Sequence, residues 1–270
     1  MLMRFRQSGL LWPALLTVVG LAILVSLGNW QMRRLAWKEE LIARVEARAK
    51  APPVSLSELL TTAERHNDEI DVDPLEFRRV NVSGRFLNDE EFHVWNPGKH
   101  GPAWRVVTPL ELSQPAGSDS QRYPIRMALI IRGTVPAASK AVSTRHAGNP
   151  SDTVSFVGRV RVGHVGAFSN AESTAKNEWY ELDIKGMQKA VAHSFVAGRA
   201  AGAAEQAQSS IAPFFIEAET PTGGAQGPQP ELGNVNLFNR HLEYALTWYG
   251  LALTLVGVFV AYALQRVRRT

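Results

Sequence analysis

Two stretches of the chain run for about twenty positions without a charge: GLLWPALLTVVGLAILVSLG at 9–28 and ALTWYGLALTLVGVFVAYAL at 245–264. As a helix each would reach ~30 Å, the thickness of the hydrocarbon core of a bilayer. Pro13 falls in the first turns of the first stretch, where a missing N–H is tolerated. Trp12 and Trp30 bracket that stretch, and Tyr244, Trp248, Tyr249 and Tyr262 lie near the ends of the second, as rings that favour the headgroup region do. Both are expected to span a membrane. A cleaved signal peptide is the competing reading of residues 1–28, with Ser26-Leu27-Gly28 as the small-residue site, but the apolar region is long for that role. A buried soluble helix is the competing reading of the second stretch, against its full spanning length.

Between these stretches the pattern changes twice. Residues 29–50, NWQMRRLAWKEELIARVEARAK, place Trp30, Trp37, Leu41 and Val45 on one stripe at helical spacing. Glu40 with Arg44 and Glu46 with Lys50 are favourable i,i+4 pairs on the wet side. The spacing predicts a helix continuing out of the membrane and ending at Pro52-Pro53. Ser55 or Ser57 can cap a second helix, SLSELLTTAERH. Beyond Pro74, five segments rich in Val, Ile, Phe and Trp read as strands: 77–87, 90–96, 104–112, 123–133 and 153–163. Asn88-Asp89 is a hairpin candidate between the first two. Asn96-Pro97-Gly98 and Gly101-Pro102 mark tight turns. Residues 185–205 look helical, 212–219 look like a last strand, and 221–233 form a Pro/Gly loop. The fold class expected is α+β, with two transmembrane helices flanking a mostly antiparallel sheet domain whose strands are largely consecutive in sequence.

Charge changes the picture by its position. The sequence pI is near 9.5. Without Arg4, Arg6, Arg266, Arg268 and Arg269, all at the two ends, 24 Lys+Arg face 25 Asp+Glu. The body is thus nearly neutral, and the basic ends speak for membrane topology rather than nucleic acid. Arg33, Arg34 and Lys38 on the other flank of the first span weaken the local count. The expected layout is 1–8 cytoplasmic, 9–28 first span, 29–240 extracytoplasmic domain, 241–264 second span and 265–270 cytoplasmic. In a bacterium that is the inner membrane, with the domain in the periplasm.

Composition and motifs exclude several chemistries. There are no cysteines, hence no disulfides, thiolate metal sites or Cys nucleophile. No G-x-S-x-G elbow, H-E-x-x-H, P-loop or dinucleotide fingerprint occurs. His93 and His100 could meet at a metal across a turn, but nothing completes a site; His164 and His193 read as ordinary polar residues. Arg132-Gly133 closes the strand ALII and could orient a partner or pin a turn, the turn being the safer reading.

The informative residues gather at the two membrane junctions. Trp30, Arg33, Arg34 and Trp37 combine two cations and two indoles at headgroup height, which suits contact with membrane lipid. On the second helix, His241, Ala245, Trp248 and Ala252 share one side. Glu243, Thr247, Gly250, Thr254 and Gly257 share the other. The small residues suit packing against the first span at Gly20 and Ser26, with Glu243 turned toward the domain or the Arg33/Arg34 region. His241 would then face a ligand or another protein. A neutral imidazole there can ligate a metal or haem iron, or simply hydrogen-bond lipid or backbone.

LGNWQMRRLAWKEELI, RRVNVSGRFL, LIIRGTVP and NRHLEYALTWYGLAL stand in this order along the chain. They resemble the surfeit-locus (Surf/Shy) family of cytochrome oxidase assembly proteins over nearly the whole chain. The motifs W-Q-x-x-R-x-x-W-K and H-x-x-Y-A-x-T-W, which include Tyr244, carry the likeness. Thr134 departs from the family's RGW pattern, and 195–210 read as an insertion. The resemblance implies an assembly factor for haem-copper cytochrome c oxidase (aa3-type), not an enzyme. It implies haem a as a transiently bound cofactor with His241 as axial ligand. Cytochrome c oxidase subunit I is the implied partner and haem a synthase a candidate second one. Chemistry adds Arg33 or Arg34 as a partner for haem propionates and Trp30 or Trp248 as a cover for the macrocycle. Trp37, Glu243, Tyr244 and Arg132 are expected in structural or partner roles. A cofactor-free scaffold for a subunit I intermediate is the alternative. An extracytoplasmic sensor is less favoured, since only about six residues follow the second span.

Overall fold

The structure is a computed structural model and describes residues 10–66, 69–97, 101–116, 125–163, 177–196, 203–231 and 239–269. Arg4, Arg6, Gly98, His100, His164, the 197–202 stretch of the insertion and the last two residues of the 221–233 loop lie outside the described residues. The chain forms two compact units, one drawn from Met1–Arg44 with Val235–Thr270 and the other Val45–Asn234.

The first helix, α1 (Leu11–Lys50), is unbroken over 40 residues. Helix formers such as Leu, Ala, Glu, Lys and Arg fill its polar half, with no Gly or Pro from 29 to 50. Pro52 and Pro53 follow its end, as expected.

In the second unit β1 (Val54–Ser55) leads into α2 (Leu56–Thr62). Ser55 is the cap: its Oγ accepts from Glu58 N at 3.1 Å. A two-strand ribbon follows, β2 (Arg65–His66) with β3 (Glu69–Ile70). Then come β4 (Arg79–Phe86), β5 (Phe92–Asn96), β6 (Ala103–Ala116), β7 (Ile125–Pro136), β8 (Val154–Arg161) and β9 (Glu178–Trp179). The unit continues with α3 (Ile184–Val196), α4 (Ala203–Ser209) and β10 (Ile211–Ala218). The helical stretch expected at 185–205 is therefore carried by two helices.

Five strands close on themselves. β4 pairs with β8, β8 with β10, β10 with β7, β7 with β6, and β6 returns to β4. Every pair is antiparallel except β10–β7, so the closed ring satisfies the backbone without exposing a free edge. β5 and β9 extend outward from β6, and β1 lies parallel to β4. Pro109 stands where β6 changes neighbour, from β5 (103–107) to β4 (110–112). A residue without an N–H is tolerated at such a break in the ladder.

Strand alternation fills two cores. Ala128 and Ile130 of β7, with Phe214 and Ile216 of β10, Val80 and Val82 of β4 and Leu110 of β6, pack inside the barrel with Leu56, Leu59 and Leu60 of α2. Met127, Leu129 and Ile131 face the other way, joining Phe215, Val107, Phe92 and Trp179 under Met187 and Val191 of α3. Each such large side chain contributes ~1.5–3 kcal/mol by leaving water. Gln188 of α3 is buried among them and donates Nε2 to the carbonyls of Ile211 and Ala212 at 3.1 and 3.0 Å. Two cores explain why ALII reads as a continuous apolar run: both faces of β7 are covered.

Two expectations fail here. Asn88-Asp89 is not a hairpin turn: β4 and β5 each pair with β6 rather than with one another, and a 3₁₀ turn (Asn88–Glu90) carries the chain between them. The 132–136 segment is not a turn that closes β7. The strand runs on to Pro136, with Val106 opposite Gly133 and Val107 opposite Ile131, so Arg132 is the extra residue of a β-bulge. Gly133 follows at φ +134, and Gln229 backbone atoms lie 2.2 Å from where a Cβ would stand. Thr134 N donates to Gln229 O at 2.8 Å, and Thr134 O accepts from Gln229 N at 3.0 Å. A long-range backbone crossing, not a local turn, explains the glycine.

The last helix, α5 (His241–Arg269), spans 29 residues. Among the described residues, α1 and α5 are the two helices long and apolar enough to cross a membrane. They belong to one unit and pack antiparallel: Gly20 meets Leu255, Gly28 meets Tyr249, and Gln31 meets His241. The buried line on α5 is Ala245 and Ala252, flanked by half-buried His241, Trp248, Tyr249, Leu255 and Phe259. These alternate at spacings of three and four, as in a coiled-coil seam. This reverses the sequence expectation. Gly250 and Gly257 look into open space, and no neighbour would meet a Cβ there. The winning face has alanines for close approach and also large side chains to fill the gap. The glycine face offers little beyond Thr247 and Thr254, so it would make fewer dispersion contacts.

Candidate functional site

His241 stands at the first helical position of α5. Its backbone N donates to Asn239 Oδ1 at 3.4 Å. Because its face is the seam, the imidazole points at α1 rather than away from it. Nδ1 lies 2.7 Å from Gln31 Oε1. With the amide oxygen as acceptor, Nδ1 carries the proton and Nε2 keeps its lone pair. Nε2 has no hydrogen-bond partner among the described residues. Two turns further along α5, Tyr249 OH donates to Asn29 Oδ1 at 2.8 Å. Gly28 lies flat under the Tyr249 ring, whose nearest atom would be 2.5 Å from a Cβ. The two polar contacts and the ring-on-backbone contact together fix the register of the hairpin.

The junction residues of α1 fall on one flank. Taking the Gln31 direction as zero, Arg34 projects about 60° away, Trp30 about 100° and Trp37 about 120° to the same side, at 100° per residue. Arg33 projects about 160° away, on the outer surface. Trp30 and Trp37 are 51% and 45% exposed, so both indoles can still cover a ligand. The Arg34 guanidinium already lies 3.9 Å from the Trp37 ring centroid. On α5, Trp248 is half-buried along the His241 line and Tyr244 is exposed. Glu243 does not turn toward Arg33 or Arg34; its Oε2 accepts from Arg240 Nε at 3.1 Å, within its own first turn.

The donor set can be tested for what it would hold. Among the described residues no three of His, Cys, Asp or Glu gather as a bare ion would require. One imidazole nitrogen with its lone pair free, on a helix pair that also carries exposed indoles, fits instead a flat macrocycle whose metal needs a single protein ligand. His93 joins no metal-binding group among the described residues, and its expected partner His100 lies outside them. His93 is buried, and its Nε2 lies 2.9 Å from Glu91 Oε1.

Arg132 is buried completely. Nε donates to Thr222 Oγ1 at 3.0 Å, Nη1 to Asn88 Oδ1 at 3.2 Å and Asn149 Oδ1 at 3.1 Å, and Nη2 to Gly148 O at 2.6 Å. Its guanidinium also lies 4.5 Å from the centroid of Phe86, a member of the barrel core. Burial pulls its pKa down to about 10, opposed by the charge of Glu91 and aided by that of Arg145. Arg145 donates to Glu91 Oε1 and, at 3.0 Å, to Asn149 Oδ1. Arg132 therefore joins β7, the 88–90 turn and the 148–149 and 222 loops. It is a fastening of the barrel, with no surface left for a partner. An open cleft of about 670 Å³ beside it is lined by Asn88, His146, Asn149 and Ser194, among others.

The geometry above sits within a match that covers most of the molecule: the profile of the SURF1 family matches residues 18–253. The chain belongs to the SURF1 family. A SURF1-like protein of Monosiga brevicollis is 31% identical over 269 residues, 94% of this chain and 88% of its own. The Surfeit locus protein 1 of Homo sapiens is 28% identical over 261 residues, 91% and 75% of the two chains. That of Mus musculus is 28% identical over 232 residues, 83% and 67%. The family match runs from within α1 to within α5, so the hairpin junction and the barrel both belong to the SURF1 pattern.

Sequence reasoning named His241 and missed its partner. Gln31 stands inside the W-Q-x-x-R motif, and a signal was present. It lies at seam spacing between Leu24, Gly28 and Leu35, a polar residue on an otherwise apolar line. Glu91 and Arg145 left no comparable trace, since nothing in their local sequence distinguishes a buried ion pair from a solvated one.

Proposed function

We propose that this protein is a membrane-anchored assembly factor for an aa3-type haem-copper cytochrome c oxidase, with no catalytic activity of its own. In this reading it binds haem a through His241 and aids its insertion into subunit I, with haem a synthase as a second partner. Membership of the family and the two spanning-length helices support the anchored assembly role. The observation that carries the haem reading is the Nε2 of His241, at the junction of the helix pair, without a hydrogen-bond partner among the described residues. When bound, haem supplies an iron centre that accepts one imidazole nitrogen. The residues present would orient and cover it: Trp30 and Trp248 offer ring faces, and Arg34 or Arg33 a guanidinium for a propionate. A single histidine ligand suits a cofactor that must be handed on. With Arg-rich ends in the cytoplasm, the barrel domain lies in the periplasm of a bacterial inner membrane.

The test is an absorption spectrum of the full chain, purified in mild detergent after coexpression with haem a synthesis. The wild type is expected to carry sub-stoichiometric haem with a histidine-ligated spectrum. His241→Ala is expected to lose that spectrum while keeping the wild-type melting temperature. Full haem in the variant overturns the ligand assignment. Co-purification of subunit I with no haem signal in the wild type favours the cofactor-free scaffold instead.

A further inference from the structure

Histidine tautomers are set by whatever the other ring nitrogen touches. Unconstrained neutral imidazole prefers the proton on Nε2, which would leave that nitrogen unable to donate a lone pair. In this protein Nδ1 is the nitrogen held inward, 2.7 Å from Gln31 Oε1. We propose that Gln31 is a positioning residue that holds His241 in the Nδ1–H form, so that Nε2 is presented as a ligand before any cofactor arrives. The proposal rests on the haem reading above for its purpose, but not for its structural content.

Three features make Gln31 a fixed acceptor rather than a chance neighbour. It lies on the buried seam of α1, one turn from Gly28, where the Tyr249 ring sits against the backbone. That close approach leaves the two helices little freedom to slide, so the amide is delivered to one height on α5. Asn29 accepts from Tyr249 at 2.8 Å on the neighbouring line, which fixes the rotation of α1 as well. Lastly, the bond is short and lies in a partly buried setting, where losing a partner costs more than in water.

The identity of the acceptor also has a consequence. A carboxylate at this position would draw the Nδ1 proton strongly and make the ring a firmer base toward a metal. A neutral amide orients the ring while adding little to its basicity. That combination gives ligation with easy release, as a transfer protein needs.

The test uses the full chain in detergent with ¹⁵N-labelled histidine, His241 being assigned by the signal lost in His241→Ala. In the cofactor-free wild type His241 is expected to show the Nδ1–H pattern of ¹⁵N shifts. In Gln31→Leu it is expected to move to the Nε2–H pattern. Asn29→Leu, which removes the inter-helix hydrogen bond from Tyr249, is expected to leave the tautomer unchanged and so controls for loosened packing. A wild-type ring in the Nε2–H form, or the same pattern in Gln31→Leu, overturns the proposal. With haem bound, the iron–histidine stretch in the resonance Raman spectrum should shift up in Gln31→Glu and weaken or vanish in Gln31→Leu. An unchanged stretch in both variants overturns the proposal while leaving histidine ligation intact. Loss of the haem reading itself would appear separately, as a spectrum indifferent to His241→Ala.

Discussion

Replacing Arg132 by methionine keeps most of the side-chain volume and removes a charge that the barrel holds without water. The cost can be worked from its contacts. Four hydrogen bonds leave the guanidinium, to Thr222, Asn88, Asn149 and Gly148. A bond from a charged donor is worth ~1.5–3 kcal/mol, and the stacking on Phe86 adds ~1–2 kcal/mol when desolvated. Against this, burial lowers the pKa from its ordinary value to about 10, which means the site disfavours the cation by ~3 kcal/mol. The variant recovers that penalty, and Asn149 keeps its bond from Arg145. Gly148 O and Asn88 Oδ1 are left without the donor that now satisfies them. The net expectation is a loss of ~3–5 kcal/mol, the range typical of stripping one member from a buried polar network. For a domain of this size that lowers Tm by roughly 10 °C. Arg132→Lys should lose most of the same amount, because an ammonium cannot reach four acceptors spread around a planar fork. The assay is a thermal melt of the full chain in detergent, followed by the β-sheet circular dichroism signal. A drop under ~2 °C for both variants would refute the reasoning, since it would show that the network contributes no net stability.

Other outcomes follow from the same contacts. Gly28→Leu drives a side chain into Tyr249 and should cost ~1–3 kcal/mol of helix pairing by overpacking, whereas Gly250→Leu should cost nothing. Because the chain has no native cysteine, a Gly20→Cys, Leu255→Cys pair reports the pairing by oxidative cross-linking; yield lost in Gly250→Leu rather than in Gly28→Leu would mean the seam is misassigned. Acid should weaken the barrel through Glu219, whose carboxyl is held below its usual range by hydrogen bonds from Arg79, at 2.7 Å for the shortest. The unfolded chain takes up that proton at a higher pH than the folded one. The stabilisation is thus full above the ordinary carboxylate range and fades as pH falls through the depressed value. The Tm gap between wild type and Arg79→Gln should therefore be largest near neutrality and shrink below about pH 4; a gap independent of pH would contradict the pairing.

The sequence by itself determined what is local or periodic. Two charge-free stretches of spanning length marked the helices that became α1 and α5. Unbroken helical propensity up to Pro52 predicted that α1 would continue out of its apolar half. Ser55 was one of two named caps, and each expected strand of the domain was formed within a few residues of its predicted ends. His241 was visible because a titratable group at the mouth of an apolar helix is costly and so conspicuous. The paired junction motifs carried the family.

Tertiary structure decided everything that depends on a partner distant in sequence. Closure of the barrel required β4 to find β8 and β6, and β7 to find β10 in parallel, pairings that no turn residue encodes. Arg132-Gly133 read as a turn because its cause, the Gln229 backbone crossing over β7, lies almost a hundred residues away. The seam of α5 was misread for a related reason. Helical periodicity separates two faces but does not say which one a neighbour covers, and small residues occur on both. The choice depends on what α1 presents in return: Gly28 beneath Tyr249, and Gln31 opposite His241. A lone histidine could be located from the sequence. Which of its nitrogens is held and which is free is set by a hydrogen bond spanning 210 residues, and only the packed helix pair makes that bond.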